Sequence, residues 1–349
     1  MNHGWEHIKS DQCFSSVTPK CKIEKKNYSV GSLIPIISQE EDFISGYWDD
    51  YNDITPHSKP VVVFGDHSRV LKYIDFDFVV GADGVKILLP SELINAKFLY
   101  YFLKWKNIPS MGYSRHFKII KGLTYLCPPL QSQHIIVTEL DKLNELIELK
   151  RKQLKYLDAL AQSLFYETFG DPIENPKGWE TKKFEDLCRL SVGGDKPKDT
   201  VKESSPEKSI PIYSNGVENE GLYGYTEFPK IIEPSITISG RGTLGVPFMR
   251  KNPFVPIIRL IVATPKSDIH LSYLFYLIKF MKLGGKGAAI PQLTVPMVKN
   301  LLLPAPPLSL QEQFANCIEA LEEQKKLIES SIADLETLLA SRMDYWFND

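Results

Sequence analysis

The sequence Pro128-Pro129-Leu130-Gln131-Ser132-Gln133 recurs 178 residues later as Pro306-Pro307-Leu308-Ser309-Leu310-Gln311. At this offset the two copies align without a gap for over forty residues, up to Asp349. Similarity at one fixed offset indicates a duplicated structure, so it decides how the rest of the chain is divided.

Both copies continue into a heptad pattern. From Ile136, alternating steps of four and three residues meet apolar side chains at eight of ten positions, and the same holds from Phe314. This pattern predicts two long helices that pack on each other as an antiparallel coiled coil. The alternative is that each helix packs on its own neighbouring domain. The predicted helix-pair interface comprises Ile136, Leu140, Leu143, Ile147, Leu154, Leu157, Ile318, Leu321, Ile328, Ile332, Leu335 and Leu339.

The two longer segments also repeat, although more weakly. Gly4-Trp5-Glu6 matches Gly178-Trp179-Glu180, and Ile34-Pro35-Ile36 matches Ile210-Pro211-Ile212. The chain is therefore predicted to alternate between globular and helical parts. Their boundaries are 1–127 for the first domain, 128–170 for the first helical segment, 171–305 for the second domain and 306–349 for the second helical segment.

Each long segment is predicted to be a mixed α/β (α+β) domain. Short β-rich runs lie between turn residues, for example Val61–Phe64, Ser235–Ile238 and Ile257–Val262. Aromatic residues at helical spacing begin at Phe98 and again at Tyr273. We expect these aromatic side chains to form the domain cores, because the spacing places them on one face of a helix.

The charge is unevenly distributed along a chain whose net charge is −2. The first domain carries 15 Lys and Arg against 14 Asp and Glu, and the second carries 18 against 14. The last helical segment is acidic, with 3 Lys and Arg against 9 Asp and Glu. A mildly basic second domain is compatible with nucleic-acid binding, and an acidic helix favours a protein partner.

Motifs for catalysis are weak in this sequence. The run Gly240-Arg241-Gly242-Thr243-Leu244-Gly245 has dinucleotide-binding spacing, but Pro247 argues against the helix whose N-terminus would hold a pyrophosphate. Asp171 with Glu180 gives only a faint nuclease pattern, and His3 with His7 lacks a third metal ligand. Five scattered cysteines without a Cys-x-x-Cys pair fit a reducing, cytoplasmic location and no zinc site.

Glycine-rich loops with isolated cations occupy paired places in the two domains. Glycine lets the backbone approach a phosphate closely, and Arg or Gln can contact base edges through two hydrogen bonds. The predicted DNA-binding residues in these loops are Arg69, Ser114, Arg115, Lys118, Arg241, Thr243, Lys286 and Gln292.

With these features the chain resembles the specificity subunits of type I restriction–modification systems. The duplicated Pro-Pro-Leu-x-x-Gln helices and the Gly-Trp-Glu domain starts carry the resemblance. It implies a pseudo-twofold protein in which each domain reads one half of a bipartite site in double-stranded DNA. It also implies that this chain is not catalytic and holds no cofactor or metal. S-adenosylmethionine, ATP and magnesium would serve the partners, which are modification subunits, two per chain, and an ATP-dependent restriction subunit.

Two other functions stay open from the sequence. One is an enzyme that acts on DNA through a degenerate nuclease or methyltransferase site. The other is a coiled-coil scaffold that binds no nucleic acid. Steeply salt-dependent DNA binding would argue against the scaffold, because it reports contacts to phosphates.

Overall fold

The computed structural model describes residues 5–29, 33–82, 84–112, 114–283 and 292–348. These residues form two compact units. Unit 1 is Met1–Lys152 with Glu329–Asp349, and unit 2 is Gln153–Ile328. Each unit therefore combines one globular domain with a stretch of both long helices. In the described ranges no helix has both the length and the apolar character that a membrane span requires.

Unit 1 contains two small sheets and a strand pair around a helical core. Its elements are β1 (Glu6–Lys9), α1 (Ser10–Cys13), β2 (Phe14–Val17), β3 (Ile34–Ile37), β4 (Gly46–Trp48), β5 (Val61–Gly65), β6 (Leu71–Ile74), β7 (Val79–Val80), β8 (Val85–Pro90), α2 (Ala96–Lys106), α3 (Phe117–Gly122) and β9 (Thr124–Cys127). The long helix α4 (Leu130–Phe169) follows, and its residues up to Lys152 belong to unit 1. The strand orders are β2-β8-β5-β6, β4-β3-β7 and β1-β9, and only β3 with β7 is parallel.

Unit 2 repeats this arrangement. Its elements are β10 (Thr181–Lys183), α5 (Phe184–Leu187), β11 (Cys188–Val192), β12 (Ile210–Tyr213), β13 (Leu222–Thr226), β14 (Ser235–Ile238), β15 (Pro247–Arg250), β16 (Val255–Pro256), β17 (Ile261–Pro265), α6 (Leu271–Met281), α7 (Val295–Val298) and β18 (Leu302–Pro304). The long helix α8 (Leu308–Phe347) follows, and its residues up to Ile328 belong to unit 2. The strand orders β11-β17-β14-β15, β13-β12-β16 and β10-β18 match those of unit 1 one for one. The predicted duplication is confirmed, and the mainly antiparallel sheets make each domain α+β.

The predicted aromatic helices are α2 and α6. Asn95 caps α2 by accepting hydrogen bonds from the backbone N–H groups of Lys97 and Phe98. Phe98 and Tyr273 are at most 1% exposed, so the aromatic faces of both helices belong to the domain cores, as expected.

One predicted strand is wrong in part. The apolar run from Ile257 to Val262 contains a turn, and β17 begins only at Ile261. Ile258 and Arg259 have φ values of 53° and 57°, in the left-handed region that strands never use. An apolar run without glycine or proline carries no local signal for such a turn, because the turn is held by contacts to distant residues.

The long helices are antiparallel within each unit. In unit 1 Glu139 of α4 pairs with Arg342 of α8, and further along α4 Arg151 pairs with Glu336 at 2.7 Å. The hydrogen bonds from Arg342 hold the pKa of Glu139 below its usual range. In unit 2 Asp158 of α4 pairs with Lys325 of α8 at 2.5 Å, and further along α4 Phe165 packs on Phe314 of α8. Within each unit the partner residues on α8 have lower numbers as those on α4 have higher ones, which confirms the predicted antiparallel pair.

The long helices also pack on the globular domains. Each helix therefore contacts both the other helix and its neighbouring domain, which combines the two predicted alternatives. Phe347 of α8 lies 5.4 Å from Phe98 of α2, measured between ring centroids. Of the twelve predicted interface residues none is exposed. Ile136, Leu140, Ile147, Ile318 and Leu339 are buried, and Leu143, Leu154, Leu157, Leu321, Ile328, Ile332 and Leu335 are half-buried.

The glutamine of the repeated motif links each long helix to the domain before it. Gln133 is fully buried, donates to the carbonyls of Leu93 and Pro128 at 2.8 Å, and accepts from the N–H of Asn95. Gln311 likewise donates to the carbonyls of Asp268 and Pro306 and accepts from the N–H of His270. In both units the amide holds the N-cap residue of the domain helix against the start of the long helix.

Replacing Gln311 with leucine is expected to destabilise unit 2 by about 2–4 kcal/mol, because three buried backbone groups lose their partner. The corresponding Gln133→Leu variant should have a similar effect on unit 1. Urea denaturation measures both free energies of unfolding. Gln131→Leu, at an exposed position of the same motif, is the matched control and should change stability by less than about 0.5 kcal/mol. A Gln133→Leu variant as stable as this control would contradict the linking role.

Candidate DNA-recognition surfaces

In unit 1 the two predicted DNA-binding loops are joined through Asp66. The first loop connects β5 to β6, and the second precedes α3. The carbonyl of Asp66 accepts hydrogen bonds from the backbone N–H and the ring Nδ1 of His116, both at 2.9 Å. The carboxylate Oδ1 of Asp66 accepts from the N–H of Phe117 at 2.8 Å. Both loops are therefore held in one position relative to each other.

Hydrogen bonding also defines the protonation of His116, which is fully buried. Its Nε2 accepts from the backbone N–H of Met111 at 3.0 Å, so the ring proton lies on Nδ1 and faces Asp66. The ring therefore anchors the segment that carries Arg115 from within the fold, because His116 itself is fully buried.

The predicted DNA-binding residues of unit 1 differ in their exposure and in whether their side chains already bond within the fold. Arg115 and Lys118 are exposed. Arg69 is half-buried, and its guanidinium Nη1 donates to the carbonyl of Ile108 at 3.0 Å. The Ser114 hydroxyl is buried without a hydrogen-bond partner among the described residues. Arg115 and Lys118 thus carry charges that form no ion pair among the described residues, whereas Arg69 is partly used within the fold.

A third loop, following β3, completes the surface of unit 1. Its Gln39 side chain accepts a hydrogen bond from the N–H of His67 at 3.3 Å. The carbonyl of Gly84 accepts from the N–H of Asp66 at 2.6 Å. Gly84 has φ 92°, and a Cβ there would lie 2.7 Å from the Gln39 amide, so only glycine fits. Four separate stretches of chain thus converge beside Asp66.

Unit 2 brings its own predicted loops together in the same way. The carbonyl of Gly240, in the loop joining β14 to β15, accepts from the N–H of Leu293 at 2.8 Å. Asn215 accepts from the N–H of Gly240 at 2.7 Å. Arg241 and Thr243 lie exposed on this loop, and Gln292 is half-buried beside Leu293. Lys286 falls outside the described residues.

Gln39 and Asn215 are site residues that the sequence analysis missed. Each stands two residues after an equivalent strand, β3 or β12, and each binds a backbone N–H of the neighbouring hairpin loop. Extending the alignment of Ile34-Pro35-Ile36 with Ile210-Pro211-Ile212 by three residues would have paired them. The signal was present, but a Gln opposite an Asn is weak evidence without the structure.

Some of the cations counted in the sequence are structural. Arg250 is 4% exposed, stacks 3.5 Å from the centroid of the Tyr213 ring and pairs with Glu220, and burial lowers its pKa. Lys72 is also buried, which lowers its pKa, and it donates to the carbonyl of Asp42. Neither can contribute to a phosphate-binding surface.

The weak catalytic patterns also have structural roles. The run from Gly240 to Gly245 leads into strand β15, so no helix N-terminus follows it. Asp171 accepts hydrogen bonds from the N–H groups of Ile173 and Glu174 and so shapes the turn after α4. His3 lies outside the described residues. In the described part of the chain no group of three His, Cys, Asp or Glu could hold a metal ion.

Comparison with known proteins agrees with this architecture. Residues 2–159 and 176–337 match the type I restriction modification DNA specificity domain. Two type I specificity subunits of Mycoplasma pneumoniae are 31% and 32% identical to this chain; the alignments cover 73% and 76% of this chain and 72% and 84% of the relatives. A specificity subunit of a type I restriction enzyme from Methanocaldococcus jannaschii is 23% identical to this chain. The alignment covers 69% of this chain and 66% of the relative.

The fold has a solved counterpart. The crystal structure of a type I restriction–modification S subunit from M. genitalium superposes with a TM-score of 0.66 at 15% identity, covering 99% of this chain and 96% of the other. Because the specificity-domain match spans most of the chain and two relatives above 30% identity are covered over more than two thirds of their length, the chain belongs to the family of type I restriction–modification DNA specificity subunits.

Proposed function

We propose that this chain reads a bipartite site in double-stranded DNA, one half with each recognition domain, without modifying or cutting the DNA itself. The observation that carries the proposal is the duplicated convergence of loops beside Asp66 in unit 1 and Gly240 in unit 2. Each surface presents exposed cations on a backbone held by buried hydrogen bonds. Such a surface combines phosphate contacts, which position a protein, with side chains that can reach base edges.

The proposal assigns the chemistry to partner subunits. Modification subunits, two per chain, would use S-adenosylmethionine, and a restriction subunit would use ATP and magnesium. The name of the Methanocaldococcus jannaschii relative, a specificity subunit of a restriction enzyme, describes one component of a larger enzyme. The acidic helix α8 supports a protein partner there rather than DNA. The free cysteines support a cytoplasmic complex.

Salt-dependent binding of the full chain to DNA tests the proposal. The double variant Arg115→Ala plus Lys118→Ala should weaken binding, and the salt slope should fall by about one for each phosphate that the variant no longer neutralises. The control is Lys152→Ala plus Lys155→Ala, which removes the same charge from an exposed face of α4. Salt-independent binding, or equally weakened binding by both double variants, would contradict the assigned surface.

Incubating the chain alone with DNA, methyl donor and magnesium tests the enzymatic alternative. We expect neither methylation nor cleavage until a modification or restriction subunit is added. Turnover by the purified chain would establish an enzyme and remove the proposal.

A further inference from the structure

The loop between β16 and β17 has a backbone that its side chains disfavour. Ile258 and Arg259 both adopt positive φ, at 53° and 57°. A β-branched residue in this region is a genuine outlier, because its Cβ substituents crowd the backbone. The surrounding structure must therefore impose the turn.

Three hydrogen bonds hold this turn in place. The N–H groups of Ile258 and Arg259 donate to the carbonyls of Gly194 and Gly193, at 2.9 and 3.0 Å. The amide of Asn215 donates to the carbonyl of Ile258 at 2.6 Å. The side-chain oxygen Oδ1 of Asn215 accepts a hydrogen bond from the N–H of Gly240, so Asn215 connects this turn to the loop that carries Arg241.

The fold does not require this strained pair of residues. In unit 1 the loop between the equivalent strands β7 and β8, Gly81-Ala82-Asp83-Gly84, has glycine at its first and last positions, and Gly84 takes a positive φ; the positions that match Ile258 and Arg259 in sequence are Ala82 and Asp83. Glycine would serve the same turn in unit 2. Unit 2 instead keeps a branched apolar side chain and an arginine there, so the side chains themselves have a use.

Both side chains point away from the core. Ile258 is 46% exposed, and Arg259 is exposed with no ion pair among the described residues of unit 2. An exposed apolar group beside an unpaired guanidinium, on a rigid backbone, suits a base step in the major groove. Arginine donates two hydrogen bonds to O6 and N7 of guanine, and an apolar side chain packs against the methyl group of thymine.

We propose that Ile258 and Arg259 form a preformed reading tip that specifies a guanine and an adjacent thymine in the half-site of the second recognition domain. The inference rests on the proposed function and adds the residues that determine specificity. A backbone already locked in its bound form loses little conformational entropy on binding, which favours discrimination between bases. Unit 1 has Ala82 and Asp83 at the equivalent sequence positions, so it lacks a tip of this composition and would read its half-site with other loops.

Selection from a library of duplexes randomised in both half-sites tests the tip on the full chain. Arg259→Ala should relax one position of one half-site, with a loss of roughly tenfold to a hundredfold for the preferred base. Arg259→Lys should keep overall affinity but weaken the guanine preference, because lysine keeps the charge and a donor while lacking the planar fork. Ile258→Gly should relieve the strained φ, keep the turn and raise the melting temperature, while the thymine preference next to the guanine falls.

The control is Arg189→Ala. Arg189 is an exposed arginine on β11 that pairs with Glu233, and its removal should leave the selected sequence unchanged. Equal weakening for all sequences by Arg259→Ala would make Arg259 a phosphate contact and overturn the inference. An unchanged selected site would overturn it as well. If the unaltered chain selects no sequence at all, the proposed function itself fails. If the unaltered chain and all variants of Ile258 and Arg259 select the same bipartite site, only the proposed role of these two residues is refuted.

Discussion

Replacing Phe165 with alanine is expected to lower the free energy of unfolding of unit 2 by about 3–5 kcal/mol, the range for an aromatic side chain removed from a packed core. Phe165 lies on α4 and is fully buried. It joins the long helices to the second domain, because its ring neighbours come from α4, α6 and α8. Those neighbours, with ring centroids 5.1 to 6.0 Å away, are Tyr166, Phe169, Tyr273, Phe280 and Phe314.

Urea denaturation followed by circular dichroism measures this decrease. Tyr156→Ala is a suitable control, because Tyr156 lies on the same helix with 71% of its surface exposed and should change stability by less than about 0.5 kcal/mol. Comparable effects of the two substitutions would mean that the aromatic cluster does not hold α4 and α8 on the domain.

Exchange of residues 171–305 for the recognition domain of another specificity subunit should replace one half of the DNA site and leave the other half intact. The strands β10 and β18 near the two ends of this segment pair with each other, with Thr181 opposite Pro304, so the segment leaves and rejoins the helices at one place. Each base pair that the removed domain read should lose roughly tenfold to a hundredfold in preference. Mapping the selected or methylated sites of the hybrid measures the change.

The hybrid must keep the packing that holds the domain on the helices. A donor should therefore retain aromatic residues at the positions of Tyr273 and Tyr276 in α6, which face Phe165 and Phe314. A control hybrid, made by the same exchange but with a domain nearly identical in sequence to residues 171–305, should select the original site. If both half-sites changed together in the test hybrid, independent reading by the two domains would be wrong.

The periodic features of this protein could be read from its sequence. The repeat of Pro128-Pro129-Leu130 at Pro306 revealed the duplication, the heptads located α4 and α8, and the aromatic spacing located α2 and α6. These features are local: a helix face or a heptad seam is encoded by residues within a few turns of each other. The antiparallel direction of the pair was expected because a whole domain separates the two helices.

Other features depend on residues far apart in the chain, and only the tertiary structure decided them. Asp66 meets His116 from fifty residues away, and Asn215 meets Ile258 from forty-three. The repeated glutamine was visible in the sequence, but its three buried backbone partners were not. The sequence around Ile258 predicts a strand, whereas the structure has a turn, because distant carbonyls and one amide hold a backbone that its own side chains oppose. Local pattern therefore determined the helices and the duplication, whereas long-range hydrogen bonds determined where the recognition loops converge.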